Sequence, residues 1–482
     1  MKTLFVSSEV FPLVKTGGLA DVAASLPQAL CAEGLDVCIL LPAYSGTIER
    51  LQNARLMDSV VFQDPLLHGA RLIEGVLPDS KQRVFLLDMP ELFQRSGGPY
   101  VDAHSQDWPD NALRFACLCR AACELAMDKI GIQWRADIVH CNDWQTGLIP
   151  AWLSLEIHRP ATIFTIHNQA YQGVFDRNIF ESLKLPSEWW NPEQLEFYGD
   201  FSFLKAALVF ADKITTVSPT YAAELLSSEF GCGLEGLLAS RGDDLTGILS
   251  GVDGQVWNPA TDLHLPKCYD DSSIGWGKRA NKAALQKHFE LPDEAKTPLV
   301  GLVGRLIYQK GIDLVIDLIE DYADRDIQWV ILGTGEADYE QALVRLAERY
   351  PRHIRVQITY DESLAHRIEA AADIFLMPSR FEPCGLNQMY SLLYGTVPVV
   401  RKTGGLADTV IDPENDPKKA NGFAFEQADA DGLRGAFSRT LETYSQPRKW
   451  AALRKRGVMA DFSWQNSARD YQQLYQNTLA AL

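Results

Sequence analysis

The heptapeptide Lys-Thr-Gly-Gly-Leu-Ala-Asp occurs twice in the chain, from Lys15 to Asp21 and again from Lys402 to Asp408. Each copy follows a short apolar run, Leu4-Phe5-Val6 or Val397-Pro398-Val399-Val400, and each leads into a helix-like stretch. A glycine pair between a strand and a helix lets backbone approach a ligand. The helix start then offers free N–H groups and a positive dipole end to an anion. The duplication predicts two α/β units, each presenting such a loop to one shared cleft. A helix-start loop used twice for packing alone is the competing reading.

Strand and helix signals alternate around both copies. Strands are expected over 3–8, 36–41, 84–88, 137–141, 162–167 and 213–218 in the first half. In the second half they are expected over 299–304, 328–333, 354–358, 373–378 and 397–400. Helices are expected over 19–33, closed by Gly34, and over 110–129, where apolar residues recur at three and four positions. Apolar strands without polar alternation indicate parallel sheets covered on both faces. At about 150 residues per domain, 482 residues make two large domains or three smaller ones, and the two strand series favour two. The boundary is expected near 244–254, giving domains over 1–248 and 249–459. Residues 246–249 either close the first sheet or open the second, and the turn-rich 262–276 reads as a surface excursion.

Net charge −18 and pI near 5.0 argue against nucleic-acid or anionic-membrane partners. Any phosphate pocket must then rest on particular residues. The opening apolar run turns polar at Ser7-Ser8-Glu9, too soon for a secretory core, and no stretch reaches the ~20 apolar residues of a spanning helix. The nine cysteines include no Cys-x-x-Cys, and Cys117, Cys119 and Cys123 lie in an apolar helical run as small hydrophobes. A cytoplasmic protein is expected.

The residues suited to chemistry fall at expected strand ends, where ligands bind in doubly wound sheets. Arg305 and Lys310 flank a strand–helix loop and can address one anion, a fork donor beside a point charge. Gly335 closes the weakly specific Gly333-Thr334-Gly335 turn. Glu382 precedes Pro383-Cys384-Gly385-Leu386, suiting a sugar hydroxyl or a developing positive charge, unless it caps the following helix. Thr403-Gly404-Gly405 offers N–H groups to a phosphate, and Lys15 with Gly17-Gly18 and Asp21 repeats that motif. Asp143 beside Trp144 pairs a hydroxyl acceptor with a flat apolar face. His167-Asn168 ends another strand, with a buried, satisfied imidazole as the alternative. Tyr100, after Gly97-Gly98-Pro99, lines an acceptor path or sits on an exposed loop. Asp429-Ala430-Asp431 has the spacing of metal-dependent sugar transferases but directly precedes a helix, so capping explains it better. No metal or cofactor is expected. Neither Gly-x-Gly-x-x-Gly nor a Gly-Lys-Ser/Thr loop occurs.

Taken together, Lys15–Asp21, His140-Cys141-Asn142-Asp143-Trp144, Thr165-Ile166-His167-Asn168, Gly304-Arg305 with Lys310-Gly311, Glu382–Leu386 and Thr403–Leu406 resemble bacterial glycogen synthase and plant starch synthase. The pattern of two glutamates shared by wider retaining transferases is altered here, with Met389 at the second position. The resemblance implies two Rossmann-like domains facing an interdomain cleft, the GT-B arrangement, with 460–482 crossing back to the first. It implies glucose transfer from ADP-glucose to the non-reducing end of an α-1,4-glucan, with retention and release of ADP. Arg305 and Lys310 would hold the pyrophosphate, and Lys15 and Gly18 the nucleotide from the other wall. His167 would sit by the donor glucose, with Asp143, Asn168 and Tyr100 at the donor–acceptor junction. Glu382 would bond glucose hydroxyls or stabilise positive charge. A glucan phosphorylase would need a pyridoxal-phosphate lysine and a longer chain, an epimerase would act without glucan, and a sugar-binding protein is usually exported.

Overall fold

Valine, isoleucine, leucine and phenylalanine without polar alternation build strands buried on both faces, and the chain uses them twice. The computed structural model describes residues 1–78, 80–104 and 106–482. It divides into one unit of Met1–Gly251 with Trp464–Leu482, and a second of Val252–Ser463.

The first unit contains β1 (Lys2–Val6), β2 (Asp36–Pro42), β3 (Gln52–Leu56), β4 (Arg71–Val76), β5 (Arg83–Asp88), β6 (Ile138–Asn142), β7 (Ala161–Ile166), β8 (Val174–Phe175), β9 (Glu196–Phe197), β10 (Asp200–Ser202), β11 (Lys213–Thr216) and β12 (Leu245–Gly247). Nine of them form one sheet in the order β12-β11-β7-β6-β1-β2-β5-β4-β3, and β8-β10-β9 form a small antiparallel sheet. The edge corrects the expectation of a wholly parallel sheet, because β4 pairs antiparallel with both β5 and β3. Strand β3, Gln-Asn-Ala-Arg-Leu, is exposed along its length, as suits an edge, and carries no apolar signature to read. Leu245–Gly247 pairs with β11, so this segment closes the first sheet.

The second unit has β13 (Leu299–Val303), β14 (Gln328–Gly333), β15 (Ile354–Ile358), β16 (Ile374–Met377), β17 (Val397–Arg401) and β18 (Phe423–Phe425), all parallel in the order β15-β14-β13-β16-β17-β18. Residues 262–276 are mostly exposed and turn-rich, as expected of a surface excursion, but the segment is anchored at Asp262. Asp262 is 4% exposed, and its carboxylate accepts hydrogen bonds from His366 Nδ1 at 2.8 Å and the Tyr394 hydroxyl at 2.6 Å.

Strand order reverses between β1 and β6 in the first sheet and between β13 and β16 in the second. Such switch points open a crevice at the carboxyl ends of the strands. The loops following these four strands, with those after β7, β14 and β17, carry most of the residues described below.

The terminal helix Trp464–Ala481 belongs to the first unit. Its Tyr475 hydroxyl lies 2.5 Å from His140 Nδ1 on β6, whose Nε2 lies 2.6 Å from the Thr165 hydroxyl on β7. Burial pushes the His140 imidazole down from 6.5 to about 3. The unfolded chain protonates this histidine near 6.5 and the folded chain does not, so stability is lost as pH falls from about 6.5. Wild-type stability to urea is expected to fall by about 1 kcal/mol between pH 6.5 and 5.5 from this group, with a shallower slope in His140→Gln. Tyr475→Phe, which strands a ring nitrogen, is expected to cost about 1–2 kcal/mol in the same measurement.

Candidate active site

In the first unit the loop after β1 is organised by Glu9, a residue the sequence reading passed over. Glu9 is 3% exposed. One carboxylate oxygen accepts from the Thr16 and Tyr100 hydroxyls, both at 2.5 Å. The other accepts from the Thr16 N–H and from the Gly17 N–H at 3.3 Å. Ser8 Oγ stands 2.8 Å from the Tyr100 hydroxyl. Tyr100 is therefore no exposed loop tyrosine; it is tied to the Lys-Thr-Gly-Gly loop through one carboxylate. The signal was an acid immediately after an apolar strand, read only as the end of the apolar run. Lys15 pairs with Asp21 at 3.0 Å, and Gly18 opens the helix Gly18–Ala32.

The loops after β6 and β7 meet at Asp143. Its backbone has φ +56°, an uncommon conformation for a residue with a side chain. Its carboxylate accepts from the His167 N–H at 2.7 Å and the Asn168 N–H at 3.4 Å. Burial outweighs these bonds and pushes the carboxyl up from 3.8 to about 7. His167 Nε2 lies 2.9 Å from Asn142 Oδ1, and the Asn142 amide is oriented by its bond to the Val6 carbonyl at 3.0 Å. Nε2 therefore carries the proton and Nδ1 is an acceptor. Burial lowers the imidazole to about 3, so it is neutral at pH 7. Asn168 accepts from the Ala170 N–H in a local turn. Trp144 offers no open ring face. It is 8% exposed and packed among Phe115, Phe175 and Phe203 at ring distances of 5.0, 5.8 and 6.0 Å.

In the second unit Lys310 Nζ lies 2.5 Å from Glu382 Oε2, and Ser379 Oγ donates to the same oxygen at 2.9 Å. Glu382, 7% exposed, thus bonds across loops from β13 and β16 and does not cap the following helix. Arg305 is exposed, with Nη2 3.4 Å from Gln309 Oε1. Arg380, unremarked in the sequence, makes a bidentate pair with Asp313, both contacts at 2.7 Å, and lies over the Tyr308 ring.

The glycines expected to receive phosphate lie against the backbone of the Glu382 loop. The Gly405 N–H donates to the Glu382 and Pro383 carbonyls, both at 3.2 Å. A Cβ on Gly404 would stand 2.0 Å from the Glu382 carbonyl oxygen, and one on Gly405 2.1 Å from that of Cys384. Thr403 is buried and its N–H donates to Arg401 O at 3.0 Å. The Gly335 N–H is taken by Glu340 Oε1 at 2.7 Å, and a Cβ there would meet the Leu306 carbonyl. Gly385, at φ +68°, and Leu386 form the turn into the helix Asn387–Leu393, and Cys384 is buried beside them. Met389 is fully buried packing. Asp429 caps its helix through the Gly432 N–H at 2.8 Å, and Asp431 pairs with Arg434.

The family description "Starch synthase catalytic domain" matches residues 2–240, and "Glycosyl transferases group 1" matches 285–456. The chain is 51% identical to glycogen synthase 1 of Methylococcus capsulatus, covering all of this chain and 97% of the relative. It is 50% identical to a glycogen synthase of Thioalkalivibrio sulfidiphilus over the whole of both. The chain belongs to the glycogen and starch synthase family. A solved structure of the starch synthase IV catalytic domain from Arabidopsis thaliana, bound to ADP and acarbose, superposes with TM-score 0.89 at 33% identity, covering 99% of each chain. Sucrose-phosphate synthase of Thermosynechococcus elongatus, at 19% identity and TM-score 0.61, shares the fold. The fold is that of the GT-B glycosyltransferases, with one α/β unit for each of the two family descriptions.

The raised Asp143 carboxyl makes a signed prediction. Ionising it in the folded chain costs stability as pH rises from about 4 through 7. Asp143→Asn keeps an acceptor oxygen for the two N–H groups and removes that cost. Its stability relative to wild type is expected to be more favourable at pH 8 than at pH 4, by roughly 3–4 kcal/mol. Equal differences at both pH values in urea unfolding would refute the assignment.

Proposed function

We propose that this chain is a glycogen synthase, moving glucose from ADP-glucose to the non-reducing end of an α-1,4-glucan with retention and releasing ADP. The observation that carries this reading is the Lys310–Glu382 pair at the switch point of the second sheet, with Arg305 on the same loop as Lys310. Full-length likeness to curated glycogen synthases supports it, as does the solved starch synthase that holds ADP and acarbose.

In this reading Arg305 and Lys310 hold the donor diphosphate and stabilise the charge that builds on it as the glycosidic bond breaks. Glu382, fixed by Lys310 and Ser379, faces the electron-poor sugar. His167 Nδ1 accepts from a glucose hydroxyl, and Asp143 acts through His167 and Asn168, whose backbone it fixes. Glu9 holds Tyr100 and the Lys15 loop in one arrangement for the nucleotide and acceptor. Asp429 and Asp431 are spent on a helix cap and an arginine, which supports charge handling by Arg305 and Lys310. We place the protein in the cytoplasm. Its nine cysteines are free, and among the described residues no helix is long and apolar enough to cross a membrane. The net charge of −18 supports partners that are neither nucleic acid nor membrane.

Incubation with ADP-glucose should release ADP only when glycogen is present, with the glucan lengthened. ADP release without acceptor, or epimerised sugar, would overturn the reading. The two cations should separate in mutants. Arg305→Ala, at an exposed position, is expected to lose about 3 kcal/mol of transition-state stabilisation with melting unchanged. Lys310→Ala is expected to lose turnover and also about 1–3 kcal/mol of stability, because it leaves the buried Glu382 carboxylate without its ammonium. Turnover near wild type in Arg305→Ala would remove it from the diphosphate.

A further inference from the structure

At the carboxyl ends of β1, β2 and β5 the first unit holds a cavity of about 340 Å³ whose wall includes Lys15, Tyr44, Arg50, Arg95 and Arg114. Two of these cations are matched. Arg95 makes a bidentate pair with Asp110 at 2.9 and 2.6 Å, and Lys15 pairs with Asp21. The other two meet only neutral acceptors among the described residues. Arg50 Nη2 donates to the Leu13 carbonyl at 2.5 Å. Arg114, 1% exposed, donates to the Leu92 and Pro99 carbonyls at 2.8 and 2.9 Å and to Asn111 Oδ1 at 2.6 Å.

The Arg114 guanidinium hydrogen-bonds only to neutral groups; burial lowers its pKa, and this is offset in part by the field of the nearby Asp110 carboxylate and by the Phe93, Phe115 and Trp108 rings at 5.2, 5.5 and 5.7 Å. A second feature of the same wall is an unused polar atom. Tyr44 is 7% exposed, and its hydroxyl is buried with no hydrogen-bond partner. A buried hydroxyl left without a partner is costly, and a ligand oxygen would recover that cost.

We propose that this cavity is a binding site for a phosphate group, either inorganic phosphate or the phosphate end of a small monoester. Two arginines whose hydrogen bonds go to no carboxylate among the described residues suit an anion, and the guanidinium fork matches phosphate oxygens. The volume lies at the small end of ligand sites, which suits a ligand of this size. Occupancy would reach the residues already described, because Arg50 holds Leu13, two residues before Lys15, and Arg114 holds Pro99, next to Tyr100. Binding itself does not depend on the proposed reaction, so its test stands apart from that reading.

The experiment is calorimetric titration of the full chain with inorganic phosphate and with glycerol 3-phosphate, using glycerol and maltotriose as neutral probes. Arg305→Ala serves as the background that removes phosphate binding at the proposed donor site. Binding is expected to persist in Arg305→Ala. It should weaken about tenfold or more when Arg50→Gln is added, and by a smaller factor with Tyr44→Phe, which keeps the ring packed on Phe93. Equal affinity for both anions identifies free phosphate as sufficient, and tighter binding of glycerol 3-phosphate identifies a monoester; both support the site. Three results would overturn it: no phosphate binding in the Arg305→Ala background, binding indifferent to Arg50→Gln and Tyr44→Phe, or Arg50-dependent binding of maltotriose in place of phosphate.

Discussion

A carboxylate withdrawn from water must be given donors or it gives up its charge, and three strand-end loops are built around that constraint. Glu382 receives an ammonium and a hydroxyl, which joins the loops after β13 and β16. Glu9 receives hydroxyl and backbone donors from Thr16, Gly17 and Tyr100, which joins the helix-start loop to a segment far along the chain. Asp143 receives two N–H groups and no cation, and burial prevails, raising its carboxyl to about 7. A buried carboxyl thus ties two loops together through its donors at Glu9 and at Glu382, and approaches neutrality at Asp143.

The duplicated heptapeptide shows how little seven identical residues decide by themselves. In the first copy both glycines are exposed, and Gly17 lies in extended backbone with open space where a Cβ would go. Its N–H is held by Glu9. In the second copy both glycines are buried, Gly404 has φ +43°, and the backbone of 382–384 passes where side chains would be. Close packing is one use of this copy. The glycine pair there keeps Glu382 in place by letting two loops touch.

Legibility followed the range of the interaction. Apolar runs such as Leu299–Val303 and Gln328–Gly333 announce buried parallel strands because their own composition suffices. Strands β3, β4, β8, β9, β10 and β18 escaped: β3 is polar and exposed, β4 pairs antiparallel beside it at the edge, and the others are two or three residues long. Arg305, Lys310 and Glu382 could be singled out from their places at strand ends. The pairing of Lys310 with Glu382 could not, because it spans 72 positions and depends on the adjacency of β13 and β16. Trp144 was misread for a related reason. Beside an acid it looks like a sugar platform, whereas Phe175 and Phe203, brought in by later segments, enclose it.

The charge states also bear on how the proposed transfer would proceed. Within the first unit His167 is neutral at pH 7 with its proton on Nε2 facing Asn142, and Asp143, its carboxyl raised to about 7, turns Oδ1 to backbone N–H groups; within the second, Glu382 is paired with Lys310. A sugar alkoxide would need a proton to leave. A diphosphate leaves as an anion and needs cations in place of a proton, and Arg305 and Lys310 are of that kind. Lys310 has a further advantage over an arginine at its position. Its ammonium has three hydrogens in a compact head, so one can stay on Glu382 while others meet phosphate oxygens, whereas a planar guanidinium would commit its fork to one carboxylate. Replacing it by arginine would keep the charge and lose that division of donors.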